Sequence, residues 1–250
     1  MQSLFRLDGF TAIVTGASRG IGEGCARLLA ESGAHVILIA RNESELHRVA
    51  NEIRAAGGSA EHWAMDLRSF DEFRDRLRAL PALDILVNNV GINKPQHFLH
   101  VDPETFDEVF DVNVRLSFFC AQAAASKMVE SGRRGSIVMI SSQSGHVALP
   151  ERTVYCATKF AMEGMTKAIA LDLAKFGIRV NAVAPTFVAT PLTTPFLANP
   201  QFREYVEVSI PLGRMATVEE VAAAVLYLAA PASQIVTGTS IVVDGGWTMK

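Results

Sequence analysis

The sequence predicts an open, doubly wound α/β fold, a single parallel sheet of about seven strands with helices on both faces. Three observations carry this prediction. Short β-branched apolar runs alternate with longer stretches of helical period along the chain. Most of those runs are apolar on both sides, as strands covered by two helix layers must be. A glycine-rich turn separates the first run from the first helical stretch.

Taken in order, the strands are expected at Thr11 to Thr15, His35 to Ala40, Ala60 to Met65, Ile85 to Asn88, Ser136 to Ser141, Arg179 to Ala184 and Ser240 to Val243. Helices are expected near 20–32, 43–57, 69–79, 103–131, 153–176 and 218–229. Strand followed by helix, repeated with right-handed crossovers, makes the parallel sheet. Two stretches break the pattern. Residues 90–100 are polar around Pro95, and residues 185–211 carry Pro185, Pro191, Pro195, Pro200 and Pro211 among apolar side chains. Both would leave carboxyl ends of strands, where such sheets bind ligands. The segment 190–210 is therefore expected to be a mobile substrate lid inserted in one catalytic domain spanning 1–250.

Composition excludes several functions. With 23 basic and 26 acidic residues the net charge is −3, and no basic run offers itself to nucleic acid or an anionic membrane. No apolar stretch approaches the ~18 residues of a membrane helix, and the first residues do not read as a signal peptide. Cys25, Cys120 and Cys156 are odd in number and dispersed, so neither a disulfide framework nor a CxxC zinc site is expected. His97 and His100 have no carboxylate or cysteine at metal spacing, and no metal is expected. A reducing cytoplasm is the expected location.

The first strand runs into Thr15-Gly16-Ala17-Ser18-Arg19-Gly20-Ile21-Gly22 and then a helix. A diphosphate site needs that order, because glycines let backbone approach the anion and free amides at a helix start stabilise it. Gly16, Ser18, Arg19, Gly20 and Ile21 are the expected contacts. An acidic residue after the second strand would accept from a ribose 2′-hydroxyl, but this chain has Ala40-Arg41-Asn42. Arg41 offers a planar fork of donors to a 2′-phosphate, with Arg19 over the same group. NADP(H) is expected, with NAD(H) second. Asp66, followed by Leu67 at the end of the third strand, would accept from the adenine amino group, and Asn88-Asn89-Val90-Gly91 would shape the adenosine wall.

Tyr155 and Lys159 are four apart at the start of a helical pattern and project from one face. A phenol with a pKa of ~10 is a poor proton donor at neutral pH, and a nearby ammonium would lower it. Ser142, thirteen residues earlier at a strand end, could hold a substrate carbonyl beside the phenol.

The glycine turn, Asn88-Asn89-Val90-Gly91, Asn113, Ser142, Tyr155, Lys159 and Asp244-Gly245-Gly246 together resemble the short-chain dehydrogenase/reductase family over essentially the whole chain. The resemblance implies a Rossmann-type fold and hydride transfer between a nicotinamide and a carbonyl or alcohol carbon. It also implies catalytic roles: Tyr155 as general acid in reduction, Ser142 orienting the carbonyl, Lys159 binding nicotinamide ribose and lowering the tyrosine pKa, and Asn113 holding a relay water. Gly91 and the segment with Pro185, Val188 and Thr190 would contact the cofactor, and a homotetramer is implied. Val90 and Thr186 depart from the family's usual alanine and glycine.

Gln143, His146, Phe187, Asn93, His97, Glu151 and Tyr205 lie in loops expected above the nicotinamide, and their polarity suits a sugar, polyol, sugar acid or diketone. One alternative is a 3-oxoacyl thioester reductase, which would present basic residues to an acidic carrier protein. Arg115, Arg133, Arg134, Arg152 and Lys175 are the candidates, scattered among acids. A non-catalytic NADP-binding sensor is the other, and it would have no use for an intact serine, tyrosine and lysine.

Overall fold

The computed structural model describes residues 2–191 and 193–249. Seven strands, β1 (Thr11–Thr15), β2 (His35–Ala40), β3 (Ser59–Ala64), β4 (Ile85–Asn88), β5 (Ser136–Ile140), β6 (Arg179–Pro185) and β7 (Ser240–Val243), form one sheet in the order β3-β2-β1-β4-β5-β6-β7. Every pairing is parallel. The chain reverses its direction of travel between β1 and β4, which opens a crevice at their carboxyl ends. All seven expected strands are present, the third one residue earlier than the apolar run suggested.

Alternation along the strands feeds two cores. Val14, Val36, Leu38, Ile85 and Val138 pack on one face with α1 (Gly20–Glu31), α2 (Glu43–Ala55) and α9 (Val218–Ala229). Ile13, Ile37, Leu86, Ile137 and Val180 pack on the other with α3 (Phe70–Ala79), α5 (Ser117–Glu130) and α6 (Thr153–Leu173). The helices start where polar caps allow. The Asn42 side chain accepts from the Glu45 amide, Asp102 accepts from Thr105 ahead of α4 (Pro103–Phe110), and Thr217 and Glu220 form a reciprocal capping box.

Two expectations are refined. The helix read as continuous over 103–131 contains a wider π turn at Asp111–Leu116 between α4 and α5. The proline-rich insertion is not an open loop. It folds into α7 (Thr194–Leu197) and α8 (Pro200–Ser209), the second capped by Asn199 with Pro200 in its first turn. These helices build a third apolar cluster from Leu149, Cys156, Phe187, Val206, Ile210 and Trp247, seated over the carboxyl end of the sheet.

Candidate active site

The glycine turn lies at the mouth of the crevice. Gly16 and Gly20 adopt φ of +64° and +58°, the left-handed region that side chains resist. A Cβ on Gly22 would stand 2.2 Å from the Gly16 carbonyl oxygen, so the turn closes only with glycine there. Arg19 stands at the start of α1 without a side-chain cap, leaving the first amides of the helix to a ligand. These features form a cradle that fits a diphosphate.

Asn89 serves this cradle indirectly. Its amide donates to the carbonyls of Thr15 (3.0 Å) and Gly16 (3.3 Å), which fixes the turn. Arg19 and Arg41 are exposed, and neither makes an ion pair among the described residues. Asp66 is already engaged. Arg68 binds its carboxylate at 2.7 Å, holding it below the usual carboxylate range, so adenine would share that acceptor with a guanidinium. Leu67 is buried beside it in the second core.

On the other side of the crevice, Ser142 follows β5 and is 7% exposed. Its hydroxyl donates to Gln143 Oε1 at 2.7 Å and accepts from the Ser144 amide at 3.1 Å. Burial pushes the Tyr155 phenol up to about 12, against the Ser142 hydroxyl and the Arg152 charge, which pull it down. Burial likewise pushes Lys159 down to about 8. The Lys159 ammonium donates to the Ile140 carbonyl at 2.9 Å and stands 5.6 Å from the centroid of the Tyr155 ring.

In the ligand-free chain, burial acts on the phenol against the lowering expected of Lys159. Withdrawn from water, both groups shift toward their neutral forms, and one N–H of the ammonium is committed to a backbone carbonyl.

Asn113, fully buried in the π turn, donates to the Ile92 carbonyl (2.9 Å) and to Thr158 Oγ1 (3.1 Å) and accepts from the Ile92 amide (2.8 Å). Both its N–H donors are committed, leaving one lone pair on Oδ1. A Cβ on Gly91 would lie 3.4 Å from that oxygen and 3.8 Å from Lys159 Nζ, so Gly91, Asn113 and Lys159 meet at one point. The absence of a side chain at Gly91 keeps that point open.

The substrate-side expectations divide. Gln143 is buried and orients Ser142. Phe187 lies in the aromatic roof, 5.6 Å from Phe202 and 5.7 Å from Trp247. His146 is drawn away, to Glu163 at 3.3 Å and Ser240 at 3.4 Å, because that carboxylate competes for the imidazole. Pro185, Val188 and Thr190 are buried along the roof's inner edge, where Thr190 Cβ would be 3.4 Å from a Cβ on Gly20 and so closes over the cradle. Thr186, the departure from the family pattern, has a buried hydroxyl with no partner among the described residues. Sequence reasoning did not assign Arg152, Phe202 or Trp247 to the pocket. No motif marks them, since only folding of the insertion brings α8 and the last turn together.

Comparison with known proteins agrees with this geometry. A family model described as enoyl-(acyl carrier protein) reductase matches residues 16–248. L-xylulose reductase of Mesocricetus auratus is 37% identical over 241 residues, covering 96% of this chain and 97% of its own. A gluconate 5-dehydrogenase from Burkholderia cenocepacia J2315, solved in complex with NADP and tartrate, superposes with a TM-score of 0.95 at 35% identity, covering 100% of this chain and 99% of that one. A short-chain type dehydrogenase/reductase from Mycobacterium marinum gives 0.94 at 40% identity, covering 99% of each chain. The chain belongs to the short-chain dehydrogenase/reductase family, oxidoreductases acting on hydroxyl and carbonyl groups.

Proposed function

We propose that this protein interconverts a small polar carbonyl compound and its alcohol with NADP(H). The observation that carries this reading is that Tyr155 contacts Ser142 and lies beside Lys159, which in turn meets Asn113 at the opening left by Gly91. A bound reduced nicotinamide supplies the hydride. Ser142 turns its hydroxyl from Gln143 to the substrate oxygen, and Tyr155 gives its phenolic proton to that same oxygen. Lys159 steadies the phenolate left behind, and the free lone pair of Asn113 holds the water through which the proton returns. Gly16, Ser18, Gly20 and Ile21 hold the diphosphate, with Val188 and Thr190 over the nicotinamide.

Arg41 and Arg19, free of carboxylate partners among the described residues, favour the 2′-phosphate. Fluorescence titration tests this choice. NADPH should bind at least tenfold more tightly than NADH, a gap of ~1.4 kcal/mol, and Arg41→Ala should close it. Equal affinities in the wild type would overturn the phosphate assignment.

A sugar, polyol, sugar acid or diketone suits the polar side chains Asn93, His97 and Gln143 on the loops that follow the carboxyl ends of β4 and β5. The names of the xylulose and gluconate relatives agree with that class. The name of another relative, a 3-oxoacyl-[acyl-carrier-protein] reductase of Rickettsia felis, favours a second reading, reduction of a carrier-bound 3-oxoacyl thioester. Against it, Arg115 pairs with Asp111 at 3.2 Å, Arg133 pairs with Asp84 at 3.4 Å and Arg152 is buried. A reductive screen of ketoses, diketones and 3-oxoacyl thioesters separates the two. Exposed Phe106, Phe118, Phe160 and Leu171 form surface that a homotetramer in the cytoplasm would cover.

A further inference from the structure

Arg152 stands three residues before Tyr155, at the start of α6, and is 6% exposed. It makes none of the ion pairs found among the described residues. Its Nη1 donates to the Pro150 carbonyl at 3.0 Å, while Nε is buried with no partner among the described residues. The aromatic rings of the roof flank the guanidinium, Phe202 at 4.7 Å and Phe196 at 5.5 Å. A guanidinium keeps its charge at any ordinary pH, and burying that charge without an anion is costly. Burial here pulls the Arg152 pKa down. The one left-handed non-glycine residue among those described, Glu151 at φ +58°, precedes it, and the Glu151 side chain is exposed while that of Arg152 is buried.

We infer that Arg152 is the anion-recognising residue of the substrate pocket, and that the molecule presented to Tyr155 is a hydroxy or keto acid whose carboxylate sits on the guanidinium edge. This rests on the carbonyl–alcohol reading of the site above. Two phenyl rings stand near the guanidinium carbon, and the planar donors of a guanidinium are the geometry that meets a carboxylate two-pronged. A phosphate dianion would call for a second cation. Besides burial, the largest influences on Arg152 are Glu151, Cys156, Tyr155 and Tyr205, none of them a cation. The loop carrying Asn93 and Gln96 is tied to this turn. The Gln96 amide donates to the Glu151 carbonyl at 2.9 Å.

The test uses Arg152→Met, which keeps an apolar stem between the rings, and Arg152→Lys. Equilibrium binding to the full-length protein with NADP+ present is measured for tartrate, ribonate and gluconate, each against the neutral alditol of equal carbon number. At least one acid should bind saturably and about thirtyfold more tightly than its alditol. Arg152→Met should abolish that preference and Arg152→Lys restore part of it. NADP+ affinity should be the same in all three proteins.

In turnover, the ratio of kcat/KM for a keto acid to that for the matching neutral ketose should collapse in Arg152→Met, mainly through KM. If no acid outbinds its alditol, or if the variant lowers both substrates equally, Arg152 is structural and the inference fails, whatever the enzyme reduces. If acids bind through Arg152 but no carbonyl is reduced, the inference stands and the carbonyl–alcohol reading fails.

Discussion

Lys159 is 4% exposed, and burial brings its pKa from 10.5 to about 8. The unfolded chain holds that proton to a higher pH than the folded chain does. Between those two values the unfolded state therefore binds more protons, and the stability this group contributes rises with pH. Urea unfolding of the ligand-free protein at about pH 7.5 and about pH 9.5 should show Lys159→Met lacking about 2 kcal/mol of the rise seen in the wild type. Tyr155, raised to about 12, has the opposite sign and acts only above its unfolded value of 10.0. Its chemical role is tested separately. Tyr155→Phe removes the proton donor but not the ring, so carbonyl reduction should fall by about 10²- to 10⁴-fold while NADPH titration is unchanged. An unchanged rate would remove the tyrosine from the proposed chemistry. Spacing alone placed these two side chains on one helix face, but it could not tell that the ammonium also donates to the Ile140 carbonyl.

Helix α4 reaches α5 through the π turn, and that wider turn carries Asn113 against Ile92 and Thr158. Removing its amide leaves the half-buried N–H and C=O of Ile92 without their partner, at a cost below the ~1–3 kcal/mol of a fully buried unpaired group. Asn113→Ala should therefore lower the unfolding midpoint as well as the turnover rate, whereas Asn113→Gln, if its amide reaches the same partners, should recover stability more than rate. The glycine turn makes a sharper demand. Gly22→Ala would press a methyl into the Gly16 carbonyl at 2.2 Å, so calorimetry should find dinucleotide binding lost or weakened by orders of magnitude. Binding at wild-type affinity would show that this turn is not the cradle. The turn was legible from its glycines and its place after a strand. The π turn was not, because its apolar period differs little from that of the α-helix around it.

At the scale of the molecule, the site lies between a rigid sheet and a roof. Strands β1, β2, β4, β5 and β6 are almost wholly buried. The roof rests on a small third cluster, in which Val206 and Ile210 of the insertion meet Phe187 and Trp247. Few buried side chains hold α7 and α8, so this segment should open at lower free energy than the sheet. Hydrogen exchange is expected to slow across 188–210 when NADPH and a substrate are added, with β1, β4 and β5 unchanged. Exchange in 188–210 that ignores ligand would show a fixed wall rather than a lid.

The sequence by itself determined the doubly wound sheet, the cofactor end and the serine, tyrosine and lysine set, because periodicity, glycine turns and helix spacing are local properties of the chain. Even there, Asp66 and His146 turned out to be shared with Arg68 and Glu163, partners that no motif announces. Only the tertiary structure decided the protonation balance of Tyr155 and Lys159 and the composition of the roof. Burial and unpaired charge depend on which distant segments pack together. Arg152 reads in the sequence as one more surface cation, and it becomes a buried cation without an ion pair among the described residues only when Phe196 and Phe202 fold near it.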